Sequence, residues 1–156
     1  MQASSGKSIN LVLLSLLLVF SGIRSSDMRS ASQATFRLIN NYRRSLGLQQ
    51  MRWDEQVYQL CARHNLYQAQ RNTISHDGYQ DRNRRLGGYA NENVAAFWGF
   101  NQSNDDFIAR KFFDMWRKSP GHDRNMRDGK MNAGAVAVFY SAGSRGYFAT
   151  NMNARR

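Results

Sequence analysis

The sequence predicts a single α+β domain, and three observations support this prediction. Its 156 residues are the length of one domain, and 42% of them are hydrophobic, which is enough to build a core. Apolar residues recur at helical spacing in three segments. Two β-rich segments, residues 133–140 and 147–152, surround a glycine-containing turn at 141–146 and predict an antiparallel hairpin. Helices that precede and separate a few strands predict a layered α+β domain.

The first helix is predicted over residues 33–46. Ser32 is a suitable N-cap because its hydroxyl can accept a hydrogen bond from the first turn, and Gly47 is a suitable stop. The apolar residues of this segment recur at helical spacing, so one side of the helix should face the core. That side carries Phe36, Ile39 and Leu46.

The second helix is predicted to begin near Trp53 and Asp54 and to end near Arg71. One face of it holds, at helical spacing, Val57, Leu60, Cys61, His64 and Tyr67. Cys61 is the only cysteine of the chain, so we expect no internal disulfide and a small buried residue at this position. His64 is expected to pack in the core with a hydrogen-bond partner, and it is left out of the candidate site.

A strand and a third helix follow. Residues 89–98 predict a strand after a turn at 86–88, with apolar residues on both sides of an Asn-Glu-Asn triplet. Asn104 should open the third helix, and Pro120 with Gly121 should end it. The buried side of this helix is predicted to carry Ile108, Phe112, Met115 and Trp116.

The N-terminus has the pattern of a secretory signal peptide. A polar start with one cation, Lys7, leads into the apolar run 11–20, which is shorter than the roughly 20 residues of a membrane-spanning helix. We predict a signal peptide over residues 1–22, a domain over residues 30–156, and a secreted, extracellular protein without a transmembrane segment after cleavage. An uncleaved signal anchor is the alternative. Asn101 opens a glycosylation sequon, which matters only if the host glycosylates the protein.

The chain is strongly basic, with 22 Lys and Arg against 11 Asp and Glu, a net charge of +11. Loss of Lys7 with the signal peptide would leave +10. The sequence lacks the interleaved aromatic residues of nucleic-acid modules, so no nucleic-acid partner is expected. The cations either form a solvated surface or mediate adhesion to anionic glycans or lipid headgroups. They form four clusters: Arg43 and Arg44; Arg82, Arg84 and Arg85; Arg124, Arg127 and Lys130; Arg155 and Arg156.

Three fragments carry the candidate chemistry, and they read SHD at residues 75–77, NENV at 91–94 and WRKSPGHDRNM at 116–126. In this order and spacing, with a Gly-containing hairpin closing the chain, they resemble the CAP superfamily of cysteine-rich secretory proteins, antigen 5 and pathogenesis-related proteins, also called the SCP domain. The resemblance covers residues 33–153. With one cysteine, the chain is similar to the cysteine-poor form of bacteria and scattered microbial eukaryotes.

The resemblance implies a three-layer α-β-α sandwich with a ligand cleft. It implies a divalent-metal site, for an ion such as zinc, formed by His76, Glu92 and His122. The second Glu of the family pattern is Ser119 here, and a hydroxyl coordinates metals poorly. Asp77 and Asp123 stand beside the two histidines and are candidates to assist. The resemblance also implies recognition of lipids such as sterols or fatty acids, and defence-related roles.

Other roles for these residues stay open. Glu92 can accept hydrogen bonds from His76 and His122, which would lock three segments together as a buried polar cluster. Glu92, Ser119 and His122 also outline an orienter, a nucleophile and a base, so a metal-assisted hydrolase of an extracellular polymer is an alternative. Because the sequence has no nucleophile elbow and no H-E-x-x-H motif, we favour a non-catalytic binding module. A cationic adhesion module is the further alternative.

Overall fold

A computed structural model describes residues 26–99 and 104–156, which form an α+β domain. The predicted signal peptide at 1–22 and the sequon at Asn101 lie outside the described residues. The helices are α1 (Arg29–Ser45), α2 (Glu55–Arg71), α3 (Tyr79–Arg85), α4 (Asp105–Arg117) and α5 (Pro120–Met126). The strands are β1 (Ser26–Asp27), β2 (Arg52–Trp53), β3 (Ala90–Trp98), β4 (Ala133–Ser141) and β5 (Gly146–Ala154).

The strands form one sheet in the order β1-β4-β5-β3, and β2 pairs in parallel with β4. The predicted hairpin is confirmed as β4 and β5, which pair antiparallel from Ala133 and Ala154 to Ser141 and Gly146. Strand β3 pairs antiparallel with the other side of β5 along its whole length. Strand β5 therefore lies between two long neighbours, and all nine of its residues are buried.

Helices cover both faces of the sheet. Alternate strand residues point to opposite faces, so each strand supplies two layers of packing. On one face Val136, Val138 and Ala149 pack into the core formed with α1 and α4. On the other face Ala137 and Met152 pack against α2. This arrangement confirms the three-layer α-β-α sandwich.

Two of the predicted helix starts are confirmed by their caps. The Asp54 carboxylate accepts from the Val57 amide at 3.1 Å, and the Asn104 side chain accepts from the Phe107 amide at the same distance. The predicted N-cap of the first helix is wrong. The helix begins at Arg29, and buried Ser32 lies inside it, donating to the Met28 carbonyl and accepting from the Val138 amide. The hydroxyl thus fastens α1 to the sheet.

Two further sequence predictions differ from the structure at helix ends. Leu46, predicted on the apolar side of the first helix, is 46% exposed because it follows the last turn of α1. Pro120 and Gly121 do not simply terminate α4. Pro120 opens the short helix α5, since the fixed backbone angle of proline suits a first helical position.

Burial excludes Arg43 from both roles expected for its cluster, a solvated cationic surface or a surface for adhesion. Arg43 is fully buried, and its guanidinium donates to the carbonyl oxygens of Gln49, Met126, Asp128 and Met131. Burial lowers the pKa of Arg43 below its ordinary value. These bonds fasten α1 to the segment that follows α5.

Cys61 is fully buried, as expected from its place on the apolar face of α2. Burial raises the pKa of its thiol, which disfavours the reactive thiolate. Among the described residues no helix is long and apolar enough to cross a membrane.

Candidate functional site

Glu92 lies at the centre of the candidate site, on strand β3. Its register partner on β5 is Met152, which packs on the α2 face of the sheet, and the Glu92 carboxylate lies on that face too. Only 1% of the Glu92 side chain is exposed. A carboxylate buried to this extent needs a cation and hydrogen-bond donors.

Arg82 on α3 supplies that cation. Its Nε donates to Glu92 Oε2 at 2.7 Å and its Nη2 donates to Glu92 Oε1 at 2.9 Å, a two-point pairing that suits the planar guanidinium. The third nitrogen, Nη1, donates to the Asp77 carbonyl at 2.8 Å. Arg82 therefore joins strand β3 to the loop that carries His76. Arg82 thus fits neither of the two roles expected for its cluster, a solvated cationic surface or a surface for adhesion.

His76 completes what we call the charged cluster, formed by His76, Arg82 and Glu92. Its Nδ1 lies 2.9 Å from Glu92 Oε1, and because an ionised carboxylate only accepts, Nδ1 carries the proton. The His76 side chain is 56% exposed. Its Nε2 is thus the nitrogen that is available to a ligand.

His122 lies on α5 and is held through its main chain. Asn93 Nδ2 donates to the His122 carbonyl at 3.1 Å, and Asn93 Oδ1 accepts from Asn125 Nδ2 at 2.8 Å. Asn125 also donates to the Glu92 carbonyl, which ties α5 to β3. The prediction that Glu92 accepts from both imidazoles is therefore right for His76 only.

These asparagines belong to a larger network on the α5 face of the sheet, which we call the amide cluster. Its members are Asn91, Asn93, Asn125, Asn151 and Asn153. Gly134 makes room for it, since a Cβ at this position would lie 2.9 Å from Asn153 Oδ1. The sequence analysis did not single out residues 151 and 153. The signal that could have found them is the Asn-x-Asn spacing that both strands share, NEN at 91–93 and NMN at 151–153.

The two candidate imidazoles are close enough for a charge on one ring to act on the other. The pKa of His122 is lowered because burial disfavours the charged ring and because a charge on nearby His76 would repel it. Buried His64 donates from Nε2 to the Ser75 carbonyl at 2.7 Å, and burial lowers the pKa of His64. His64 is thus a packed, hydrogen-bonded residue.

The remaining candidate residues face elsewhere. Asp77 accepts from the Tyr67 hydroxyl at 2.7 Å, which lowers the pKa of Asp77. Asp123 accepts from the Tyr42 hydroxyl and pairs with Arg127. Ser119 is half-buried at the N-cap position of α5 without a side-chain capping bond, and within the described residues no hydrogen bond joins it to His122.

The residues that the family resemblance implies for a metal do not fit one here. Both carboxylate oxygens of Glu92 already accept from Arg82, and one of them also accepts from His76. Over residues 26–99 and 104–156, no group of three or more His, Cys, Asp or Glu side chains is placed to hold a metal ion. The guanidinium bonds to both oxygens of Glu92 and balances their charge, which leaves little room for a metal ion.

A small open cleft of about 260 Å³ borders the charged cluster. Its lining is polar and combines residues of both clusters, namely His76, Tyr79, Asn91, Glu92 and Asn125. The Tyr79 hydroxyl donates to the Ala90 carbonyl at 2.6 Å, so that this side chain is held in place as well. The cleft can accommodate a polar group beside the exposed imidazole.

The family model named CAP, the cysteine-rich secretory protein family, matches residues 36–152. An extracellular SCP-domain protein from Bacillus anthracis is 26% identical with a TM-score of 0.63, over 82% of this chain and 41% of that one. This chain thus spans about two fifths of that protein. An outer surface protein from Borrelia burgdorferi is 14% identical with a TM-score of 0.67, over 85% of this chain and 98% of that one.

A cysteine-rich secretory protein from Staphylococcus aureus is 16% identical with a TM-score of 0.55, over 82% of this chain and 39% of that one. At this level of identity, the Borrelia and Staphylococcus structures show the fold alone. No curated protein sequence matches the chain. The structural neighbours agree with the layered architecture described above.

Proposed function

Because the chain belongs to the CAP family of cysteine-rich secretory proteins, we propose that it is secreted and acts as a non-catalytic binding module. Secretion is supported by the signal-like pattern of residues 1–22 and by structural neighbours described as extracellular or outer-surface proteins. The proposed ligand site is the cleft lined by His76 and Glu92, with His122 as a further contact for the ligand. Binding in this cleft would use the His76 imidazole, which Glu92 supports, and the His122 imidazole, which Asn93 holds through the main chain.

The state of Glu92 is the observation that carries the non-catalytic proposal. A general base needs a free oxygen within hydrogen-bond reach of a water or substrate proton. The Glu92 carboxylate is 1% exposed and is held by Arg82 and His76. A hydrolase would also need an activated nucleophile, and Ser119 has no hydrogen bond to His122 among the described residues. This arrangement favours binding over the metal-assisted hydrolase.

The ligand that suits this cleft is an anionic or strongly polar group, such as the acidic unit of an extracellular glycan. The exposed His76 ring can form a hydrogen bond with a polar ligand group through Nε2. Arg124, which is exposed on α5 two residues after His122, can donate to an anion. The net charge of +11 adds long-range attraction. A polar cleft of about 260 Å³ is small for a sterol, so the lipid ligands implied by the family would need a different surface.

Heparin binding tests this proposal. We expect the double variant His76→Ala/His122→Ala to bind heparin about tenfold more weakly than the unmodified chain, a loss of about 1.4 kcal/mol, in calorimetric titrations. Arg110→Ala, an exposed site on α4, removes one positive charge away from the cleft and should change the affinity much less. Affinity should also fall with salt.

Three results would contradict the proposal. If the double variant bound heparin with unchanged affinity, the cleft would not take part in binding, and only a general cationic surface would remain as the site. Saturable binding of a labelled sterol or fatty acid that the double variant abolishes would assign the cleft to lipids. Hydrolysis of a wall or matrix polymer that Ser119→Ala or Glu92→Gln abolishes would make the chain an enzyme.

A further inference from the structure

The charge of Glu92 is fully compensated inside the protein. Oε1 accepts from His76 Nδ1 and from Arg82 Nη2, each at 2.9 Å, while Oε2 accepts from Arg82 Nε at 2.7 Å. The side chains of Glu92 and Arg82 are 1% and 10% exposed. Three of the roughly four acceptor positions of this buried carboxylate are filled, and Arg82 already balances its charge, so a further cation there is disfavoured.

Arg82 is also built into the turn that carries His76. Its Nη1 donates to the Asp77 carbonyl, and a Cβ added at Gly78 would lie 3.2 Å from the same nitrogen. Gly78 has a φ of +74°, a conformation that glycine adopts most easily. The turn therefore packs directly on the guanidinium, and moving Arg82 would disturb both Glu92 and the backbone beside His76.

A metal ion that binds both oxygens of Glu92 would have to displace this guanidinium. Displacement would leave a nearly buried positive charge beside a second one, and the repulsion of two cations in a poorly solvated site is large. The described part of the chain also offers no group of three acidic, histidine or cysteine ligands for the ion. Both observations concern the same few residues and point in the same direction.

We propose that Arg82 is the resident cation of this cleft, so that the His76 and Glu92 arrangement is complete without a divalent metal. Arg82 is a positioning residue in this proposal. It neutralises Glu92, orients the carboxylate toward His76, and fixes the turn before α3. It follows that Glu92 would become able to bind Zn²⁺ if the guanidinium were removed. Adding another metal ligand would not be enough.

Zinc titration of three forms of the full chain tests this assignment. We expect Arg82→Gln to bind Zn²⁺ at least tenfold more tightly than the unmodified chain and to gain thermal stability from it. The matched control is Arg82→Gln/Glu92→Gln, which lacks both charges and should lose the added affinity. If the unmodified chain binds one Zn²⁺ as tightly as Arg82→Gln, or if Arg82→Gln gains no affinity, the proposal is wrong.

A second measurement uses the unmodified chain and does not depend on the folding of a variant. The Arg82 Nε–H group donates to a carboxylate and should give a distinct, slowly exchanging NMR signal. We expect this signal to keep its position and exchange rate when excess Zn²⁺ is added. A zinc-dependent shift or loss of the Arg82 signal, saturating at one equivalent, would show that metal displaces the guanidinium and would overturn the proposal.

Discussion

The two faces of strand β3 position two histidines by different chemistry. On the α2 face, Glu92 anchors the charged cluster, which fixes the turn carrying His76. On the α5 face, Asn93 and its partners form the neutral amide cluster, which holds the main chain of His122. Two adjacent residues of one strand thus hold two segments that are far apart in the sequence, the turn with His76 and the helix with His122. The charged cluster should fail abruptly when one member is removed, because a buried charge is left unpaired, whereas the amide cluster should weaken gradually.

The largest expected effect comes from removing the shared acceptor of the charged cluster. Glu92→Ala leaves the Arg82 guanidinium buried without an acidic partner, so we expect the free energy of unfolding to fall by about 3 to 5 kcal/mol in urea denaturation. Asp81→Ala is the control, because Asp81 pairs with Arg84 and Arg85 at the surface and should contribute less than about 1 kcal/mol. Equal losses in the two variants would show that the charged cluster is solvated in solution.

The amide cluster should give a smaller loss with a different signature. Asn93→Ala removes the donor to the His122 carbonyl and the acceptor of Asn125, which should cost about 1 to 3 kcal/mol. NMR signals of the His122 ring should shift, while those of His76 stay in place. Asn41→Ala, at an exposed site on α1, serves as the control and should leave both rings unchanged. A shift of the His76 ring in Asn93→Ala would mean that the two clusters are not independent.

A pair of glycines isolates the packing of the His76 turn on Arg82. Gly78 and Gly87 both have positive φ, so an alanine at either position should cost about 1 kcal/mol from backbone strain. Only at Gly78 would the new Cβ also meet Arg82, at 3.2 Å, whereas Gly87 has open space around it. Thermal unfolding should therefore show the larger loss for Gly78→Ala. The reverse order would indicate that the guanidinium moves aside easily.

Acidification should give the smallest effect, and it should come from histidines and not from the amides. The pKa values of His64 and His122 are lowered in the folded chain from an ordinary value of 6.5, mainly by burial. Below about pH 6.5 these histidines bind protons in the unfolded chain but not yet in the folded chain. The free energy of unfolding therefore falls as the pH decreases toward the folded pKa values. Denaturation midpoints measured from pH 7.5 to 5 should show this decline.

Two variants separate the sources of that decline. His64→Gln keeps a side-chain donor that can reach the Ser75 carbonyl but does not titrate, so the decline should become shallower. Asn41→Ala, at an exposed site on α1, should leave the slope unchanged, since its amide carries no titrating proton. If His64→Gln retained the whole slope, another group would be responsible for the pH dependence.

The sequence predicts much of this molecule where the signal is local. The hairpin of β4 and β5, the caps Asp54 and Asn104, and the burial of Cys61 all follow from short patterns of apolar residues, turns and capping side chains. The same patterns fail where a residue serves a distant partner. Ser32 has the residue type of an N-cap, yet its hydroxyl bonds to Val138 across the sheet interface.

Arg82 shows the same limit within the candidate site. Its helix, α3, reads YQDRNRR and has no apolar stripe, so the sequence indicates a surface role for its cations, either solvation or adhesion to anions. Arg84 and Arg85 do lie at the surface, beside Asp81. Arg82 differs because the fold brings it against Glu92, ten residues away in the chain. All three residues are arginines of one short helix, and only their positions on that helix decide which of them is buried.

By itself the sequence determined the family, the layered α+β architecture and the alternation that sends Glu92 and its flanking asparagines to opposite faces of β3. These properties depend on local order and on the period of two along a strand. The tertiary structure alone decided which group neutralises Glu92, and which main-chain group Asn93 holds. The physical reason is that the partner of a buried charge or amide is set by long-range packing, because burial removes the water that would otherwise satisfy it.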